Sequence, residues 1–475
     1  MGRVIRFFIS AFFLNAFWAG FVQTSTAFAS NSAPFPKEFK WCVATAAYQI
    51  EGNNIHSDWW EAENSARNEN AGTVAPFIRR AQRSGVATDH WNRIDDDVRL
   101  LKDLGVQSYR FSLEWARLEP QNGVWDEAAF EHYDKEIDHL LAAGIEPWVT
   151  IHHFTHPAWF MRLGGWASDS SVTYFERFVE KVIHRWGNKI KTWITFNEPN
   201  VLLNAQYVGG MFPPFLTLKL HRDESLKSLK SAVINIYKSH ASAYRLIHSH
   251  KTSKKKKPRV GQAVHLRVFE PWNRFSPYEW LIANRFLDDY FNWSFLDAPE
   301  TGRISLNMPF LLNIDEAIEG LKGTQDFIGF NYYSRDLVKT NWDPNEPFRL
   351  LPHPQGDLTG MGFEVYPKGF EIVLSKLKTK YTGREFLVLE NGLDDPEDSK
   401  RQKFLVDHLA ILQKFSTQEG MNISGYCHWT LMDNFEWIWG FDPKMGLYET
   451  NFETFERTPR PSALLYEQIV RTNAL

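Results

Sequence analysis

The chain has 475 residues, 43% hydrophobic and 15% aromatic, with a formal net charge of −4. That length supports one big barrel or two to three ordinary domains, and the acidic balance excludes broad electrostatic attraction to nucleic acid. Two cysteines, Cys42 and Cys427, exclude a disulfide scaffold and a thiolate metal cage, and the 16 scattered His form no HExxH pair, so neither a metal nor a cofactor is expected.

In chain order, the first feature is MGRVIRFFISAFFLNAFWAGFVQTSTAFAS. Arg3 and Arg6 precede an apolar run from Phe7 to about Val22, and Ala27-Phe28-Ala29 forms an A-x-A arrangement. The pattern predicts a secretory signal peptide over residues 1–29 and an exported protein, periplasmic or secreted. An uncleaved anchor fits less well, because Ser10 and Asn15 interrupt a run already short of about 20 apolar residues. No later segment is apolar enough to span a membrane.

From residue 30 onward, short apolar or aromatic runs alternate with helical patterns. The strand candidates are FKWCVATAAY, VQSYRFSLEW, IEPWVTIHHF, KTWITFNE, RVGQAVHL, DFIGFNYY, REFLVLEN and ISGYCHWTL. Among the helical stretches, RIDDDVRLLKDLG places Ile94, Val98 and Leu101 at helical spacing, with Gly105 as its C-cap. FEHYDKEIDHLLAAG and SVTYFERFVEKVIHRWG follow in turn. Eight strand–helix units with no linker predict one α/β domain over 30–475, a closed (β/α)8 barrel whose surplus length lies in long βα loops. The basic run KTSKKKKPR, Lys251 to Arg259, lacks interleaved aromatics and reads as a solvated loop. Nineteen Trp serve either a bulky core or platforms for flat sugar faces, and counting favours neither.

A barrel gathers the C-terminal ends of its strands on one face. Those ends read Gln49-Ile50-Glu51, Arg110, His152-His153, Asn197-Glu198, Asn331-Tyr332-Tyr333, Glu390-Asn391 and Trp429. Pro199 stops one strand at Glu198, and the turn pair Asn391-Gly392 stops another at Glu390. As the ends of the fourth and seventh strands these glutamates face each other across the barrel mouth. Two opposed carboxyls suit acetal hydrolysis, in which one protonates the leaving oxygen and the other meets the cationic anomeric carbon. The pair alone does not say which does which.

FKWCVATAAYQIEG, TFNEP, LENG and WTLMDNFEW resemble the signature segments of the glycoside hydrolase family 1 β-glycosidases, in family order from about Phe39 to Pro461. DWWEAEN and RFSLEWAR are similar to the archaeal branch of that family. The resemblance implies a retaining β-glycosidase, acting on terminal β-linked sugars and above all β-glucosides, without a cofactor. It makes Glu390 the nucleophile and Glu198 the acid/base, with carboxyls about 5–5.5 Å apart. It makes Arg110 and Tyr333 the partners of the nucleophile, and Gln49, His153, Asn197, Trp429, Glu436 and Trp437 the binders of the glycone. Trp439 is assigned to core packing, and Glu436 argues against a phosphosugar substrate. The alternatives are a non-catalytic sugar-binding relative and a transglycosylase; glycone preference and oligomeric state stay open.

Three positions depart from the family pattern. Phe154 stands where Trp is common, which loosens one wall of the glycone pocket; Cys42 replaces a Gly and Cys427 an aromatic residue. Because the first and eighth strands of a closed barrel are neighbours, the two thiols can approach, and both a disulfide and a free pair stay open. YVGGMFPPF and WDPNEPFRLLPHPQGD are expected to line the aglycone side.

Overall fold

The computed structural model describes residues 34–65, 67, 76–218, 223–250, 257–308, 312–343 and 346–475. The signal-peptide segment, most of the Lys251–Arg259 run and part of the loop after Trp342 lie outside the described residues. Eight parallel strands form the centre: β1 (Lys40–Ala44), β2 (Ser108–Ser112), β3 (Glu146–His152), β4 (Thr192–Asn197), β5 (Arg259–Pro271), β6 (Ile328–Asp343), β7 (Phe386–Asn391) and β8 (Ile423–Trp429). Each pairs with the next, and β8 also pairs with β1, so the ring closes. Every residue of β2 and β4 is buried. Strands covered on both faces must read as continuous apolar runs, which is why they stood out in the sequence.

Helices cover the outside of the ring, and one shows how the sequence sets them. In Ile94–Leu104, Ile94, Val98, Leu101 and Leu104 are buried, while Asp95 and Asp96 stand in the first turn, where carboxylates meet the positive end of the helix dipole. Gly105 ends it with a left-handed φ of 71°, a conformation open to glycine at no steric cost. Helices Glu127–Ala142 and Ser171–Trp186 repeat the pattern ahead of β3 and β4. A single hydrophobic core runs through these layers from Phe35 to Val470, with a small satellite of Phe269, Ile282, Ala283, Leu287 and Val338. Among the described residues no helix is long and apolar enough to cross a membrane.

The sequence reading needs three adjustments. Strand β1 stops at Ala44, and Gln49 lies on the single-turn helix Ala47–Ile50. Strands β5 and β6 outrun the barrel and stay paired with each other as far as Pro271 and Val338; β6 then folds back against Glu346–Leu351. The surplus length is also not confined to βα loops, since the hairpin Arg303–Met308/Leu312–Ala317 follows helix Ser294–Thr301 and precedes β6.

Cys42 and Cys427 lie in register on β1 and β8 and are joined in a disulfide. The bond closes the seam between the first and last strands, across a sequence separation of 385 residues. Constraining so long a loop in the unfolded chain stabilises the fold by roughly 2–4 kcal/mol. Thiol titration of denatured, unreduced protein is expected to give no free thiol, rising to two after reduction, with a lower thermal midpoint for the reduced form. Two thiols before reduction would contradict the bond.

Candidate active site

A cavity of about 360 Å³ opens at the C-terminal ends of the strands and is lined by His153, Asn197, Glu198, Tyr333, Glu390, Trp429, Glu436 and Trp437. Arg110 and Gln49 stand behind its wall, Arg110 against Glu390 and Gln49 against Glu436.

Lateral register puts the reactive groups side by side. Glu390 on β7 pairs with Asn331 on β6, Asn331 pairs with His265 on β5, and Asn197 on β4 pairs with Ala263, two residues before His265. Glu198 follows β4 in the left-handed region, at φ 41° and ψ 60°, with Pro199 opening a short helix behind it. That conformation is uncommon for a residue with a Cβ and costs on the order of 1–3 kcal/mol. Its N–H donates to the Ala263 carbonyl at 2.6 Å, which ties the turn to β5.

Both oxygens of Glu390 are held. Arg110 donates from Nη1 to Oε1 at 2.6 Å, and the Tyr333 hydroxyl donates to Oε2 at 2.7 Å. Arg110 is fully buried, and its remaining donors go to Asn197 Oδ1, Thr150 Oγ1 and the Leu389 carbonyl. Glu198 is held on one side: Oε1 accepts from Asn331 Nδ2 at 2.8 Å and from His265 Nδ1 at 2.9 Å. Among the described residues nothing bonds its Oε2.

The two carboxyls influence each other. Burial pushes Glu390 up to about 7, with Arg110 opposing and the neighbouring charge of Glu198 adding to the rise. Burial also pushes Glu198 up, but His265, the Asn331 hydrogen bond and Arg110 bring it below its ordinary value. Taken alone these directions leave the pair's one proton on Glu390, but Arg110 and the Tyr333 hydroxyl donate to both Glu390 oxygens, which favours the ionised form there and the proton on Glu198; the two titrate as a coupled pair.

The remaining polar groups form a second cluster. Because a guanidinium can only donate, Arg110 fixes Asn197 Oδ1 as the acceptor and leaves Nδ2 to donate to His153 Nε2 at 3.0 Å. The proton of the neutral imidazole then sits on Nδ1, which is buried with no protein partner among the described residues. Burial and Arg110 hold His153 well below its usual range, keeping the ring neutral. Gln49 donates to Asn434 Oδ1 at 2.8 Å and to Glu436 Oε2 at 2.9 Å, while its own Oε1 has no partner among the described residues. Burial pushes Glu436 up to about 8. A buried donor on His153 and a buried acceptor on Gln49 suit a ligand rich in hydroxyls. Trp429 and Trp437 each stack with His153, at 5.9 and 6.0 Å between ring centres and with nearly parallel rings.

The other half of the lining is largely apolar, with Val201, Met211, Phe212, Phe291, Met361 and Phe363 beside Asn204 and Arg267. Met211 and Phe212 come from YVGGMFPPF, as expected, but Met361 and Phe363 lie beyond the second loop named from the sequence. Trp439 is a correction: it is half-buried and lines this half, with Arg79 over its ring at 5.7 Å. Its neighbour Trp437 takes a φ of 50°, so the loop departs from any regular pattern that sequence could follow. Phe154 is buried, packing edge-on to Phe212 and Trp437, and keeps its wall closed. Sequence reasoning missed His265 and Asn434. His265 had a signal only across strands, as the register neighbour of Asn331.

The glycosyl hydrolase family 1 model matches residues 31–475. Beta-glucosidase A of Thermotoga maritima is 30% identical over 469 residues, covering 94% of this chain and 99% of the relative. Among solved structures, the beta-glycosidase from Pyrococcus horikoshii superposes with a TM-score of 0.81 at 35% identity, over 93% of this chain and 96% of that one. The beta-glucosidase from Thermotoga maritima in complex with glucoimidazole gives 0.82 at 29% identity, over 93% and 100%. A match that runs from the first strand through the last helix, with both glutamates on one cavity, makes the chain a member of glycosyl hydrolase family 1.

Proposed function

We propose that this protein is a retaining β-glycosidase that hydrolyses terminal β-linked sugars, β-glucosides foremost. The observation that carries the reading is the unequal treatment of two glutamates on one cavity. Glu390 has each oxygen held, one by a guanidinium and one by a phenol, an arrangement that aims a carboxylate as a nucleophile. Glu198 keeps one oxygen free of partners among the described residues, which suits proton transfer to and from the sugar's leaving group. Glu390 attacks the anomeric carbon and forms a glycosyl-enzyme as Glu198 protonates the departing oxygen. Glu198 then takes a proton from water, which releases the sugar with its configuration retained.

His153, Asn197, Gln49 and Glu436 bind the glycone hydroxyls, and Trp429 and Trp437 supply its apolar platform. An acid at Glu436 favours free hydroxyls, with which a carboxyl can hydrogen-bond, over a phosphorylated sugar, for which it offers no cation. The β-gluco preference is supported by relatives named as beta-glucosidases, among them those of Thermotoga maritima and Arabidopsis thaliana. An exported location belongs to this proposal; the Arg3–Ala29 pattern and the Cys42–Cys427 bond support it.

Two measurements test the mechanism. Glu390→Gly is expected to lose turnover of aryl β-glucosides by more than about 10³-fold and to regain it with azide, giving an α-glycosyl azide. A folded variant that keeps its turnover, or an azide product of β configuration, would refute the assignment. Glu198→Ala removes the partner charge that raises Glu390, so the pKa of Glu390 falls. For a substrate with an activated leaving group the alkaline limb of kcat/KM, which reports loss of the shared proton, is expected to vanish. For phenyl β-glucoside the rate is expected to fall about 10²–10⁴-fold. An alkaline limb unchanged in Glu198→Ala would remove Glu198 from the acid/base role.

A further inference from the structure

His265 is the group in the cavity that the mechanism has not used. It stands on β5, buried, with Nδ1 at 2.9 Å from Glu198 Oε1. Its backbone N–H and C=O both bond the Asn200 side chain, two residues after Glu198, so the turn carrying Glu198 is fastened to the strand carrying His265. Its ring stacks on Tyr333 at 5.6 Å and meets Phe291 edge-on at 5.8 Å. The other ring nitrogen, Nε2, is buried with no partner among the described residues.

Donor identities fix which oxygen of Glu198 is occupied. Arg110 makes Asn197 Oδ1 an acceptor; the amide of Asn331 that contacts it at 3.3 Å must therefore present Nδ2. That same Nδ2 donates to Glu198 Oε1. A carboxyl oxygen has two lone pairs in its plane. With one taken by Asn331, the second faces His265 Nδ1.

Resting on the glycosidase reading above, we propose that His265 is a positioning residue for acid/base catalysis. With Asn331 it saturates Oε1 of Glu198, so that the catalytic proton is carried on Oε2, and it stabilises the carboxylate left after that proton is given up. In glycosylation the O–H bond at Oε2 breaks as the bond from its proton to the leaving oxygen forms. The electron pair stays on a carboxylate that already accepts two N–H donors. In deglycosylation the same oxygen takes a proton from the attacking water.

The charged and titratable groups facing Glu198 are His265 on β5, Arg110 on β2, Tyr333 on β6 and Glu390 on β7. Around His265, Arg267 is paired with Asp336 at 2.6 Å. The helical segment Ile282–Trp293 turns Phe291 toward the ring, its own acids being paired elsewhere, Asp288 with Lys376 and Asp289 with Arg285.

The test uses His265→Leu, which removes the donor, and His265→Asn, whose Nδ2 takes the place of the imidazole Nδ1. The readout is kcat/KM against pH for β-glucosides of graded leaving-group acidity. Losing a donor to the carboxylate raises the pKa of Glu198, so the alkaline limb of His265→Leu is expected to move up by about one pH unit. Its loss on phenyl β-glucoside is expected to exceed its loss on the 2,4-dinitrophenyl glycoside, whose departure needs no acid, by at least about tenfold. His265→Asn is expected to return both quantities to within about half a unit and threefold of wild type. An unmoved limb in His265→Leu, equal losses on both substrates, or His265→Asn behaving as His265→Leu would each overturn the proposal. Should His265→Leu fail to fold, a limb displaced by more than one unit in His265→Asn overturns it, and one within half a unit supports it. Azide rescue of Glu390→Gly does not involve His265; if it fails, the glycosidase reading falls, and if it succeeds while the His265 results are negative, only this inference falls.

Discussion

A guanidinium that has lost contact with solvent must find partners for its charge and for each of its nitrogens. Arg110 finds them on three other strands: Thr150 on β3, Asn197 on β4, and Leu389 and Glu390 on β7. Leaving Glu390 without that cation would strand a buried charge, at a cost of roughly 3–5 kcal/mol. The consequences spread from there. Arg110 sets which end of the Asn197 amide accepts, and that choice sets the tautomer of His153 and the orientation of Asn331. Through Asn331 it reaches Glu198. The hydrogen-bond orientations on both sides of the cavity thus follow from one residue that does not line it.

The cavity has two kinds of lining. Around His153, Asn197, Gln49 and Glu436 the polar groups are clamped by one another, and hydrogen-bonding capacity is left over on His153 and Gln49 among the described residues. Met211, Phe212, Phe291, Met361 and Phe363 give their part of the wall no comparable directionality. Directional bonds in a low-dielectric pocket discriminate strongly between positions of a hydroxyl, whereas an apolar wall ranks ligands mostly by size and shape.

Much of this was legible before any coordinates. The strands read as apolar runs because parallel strands are buried on both faces, and Pro199 and the Asn391-Gly392 turn marked where two of them stop at a glutamate. The extensions of β5 and β6 were hidden for the opposite reason. Beyond the barrel their residues alternate with charged ones such as Arg267, Glu270, Arg335 and Asp336, whose partners lie on other segments. His265 was hidden because its importance lies in lateral register, which no linear pattern encodes. Trp439 reads as a core residue in the sequence, but the path of its loop brings it to the cavity.

The covalent tie between β1 and β8 has an effect on the molecule as a connected object. Peptide bonds and sulfur together make a ring from Cys42 round to Cys427, so a single cut anywhere within that stretch opens the ring but releases no fragment. The strands on either side of the cut keep their neighbours on both flanks, because the circle of hydrogen bonds has no free edge. A molecule nicked once within that stretch therefore remains a single body.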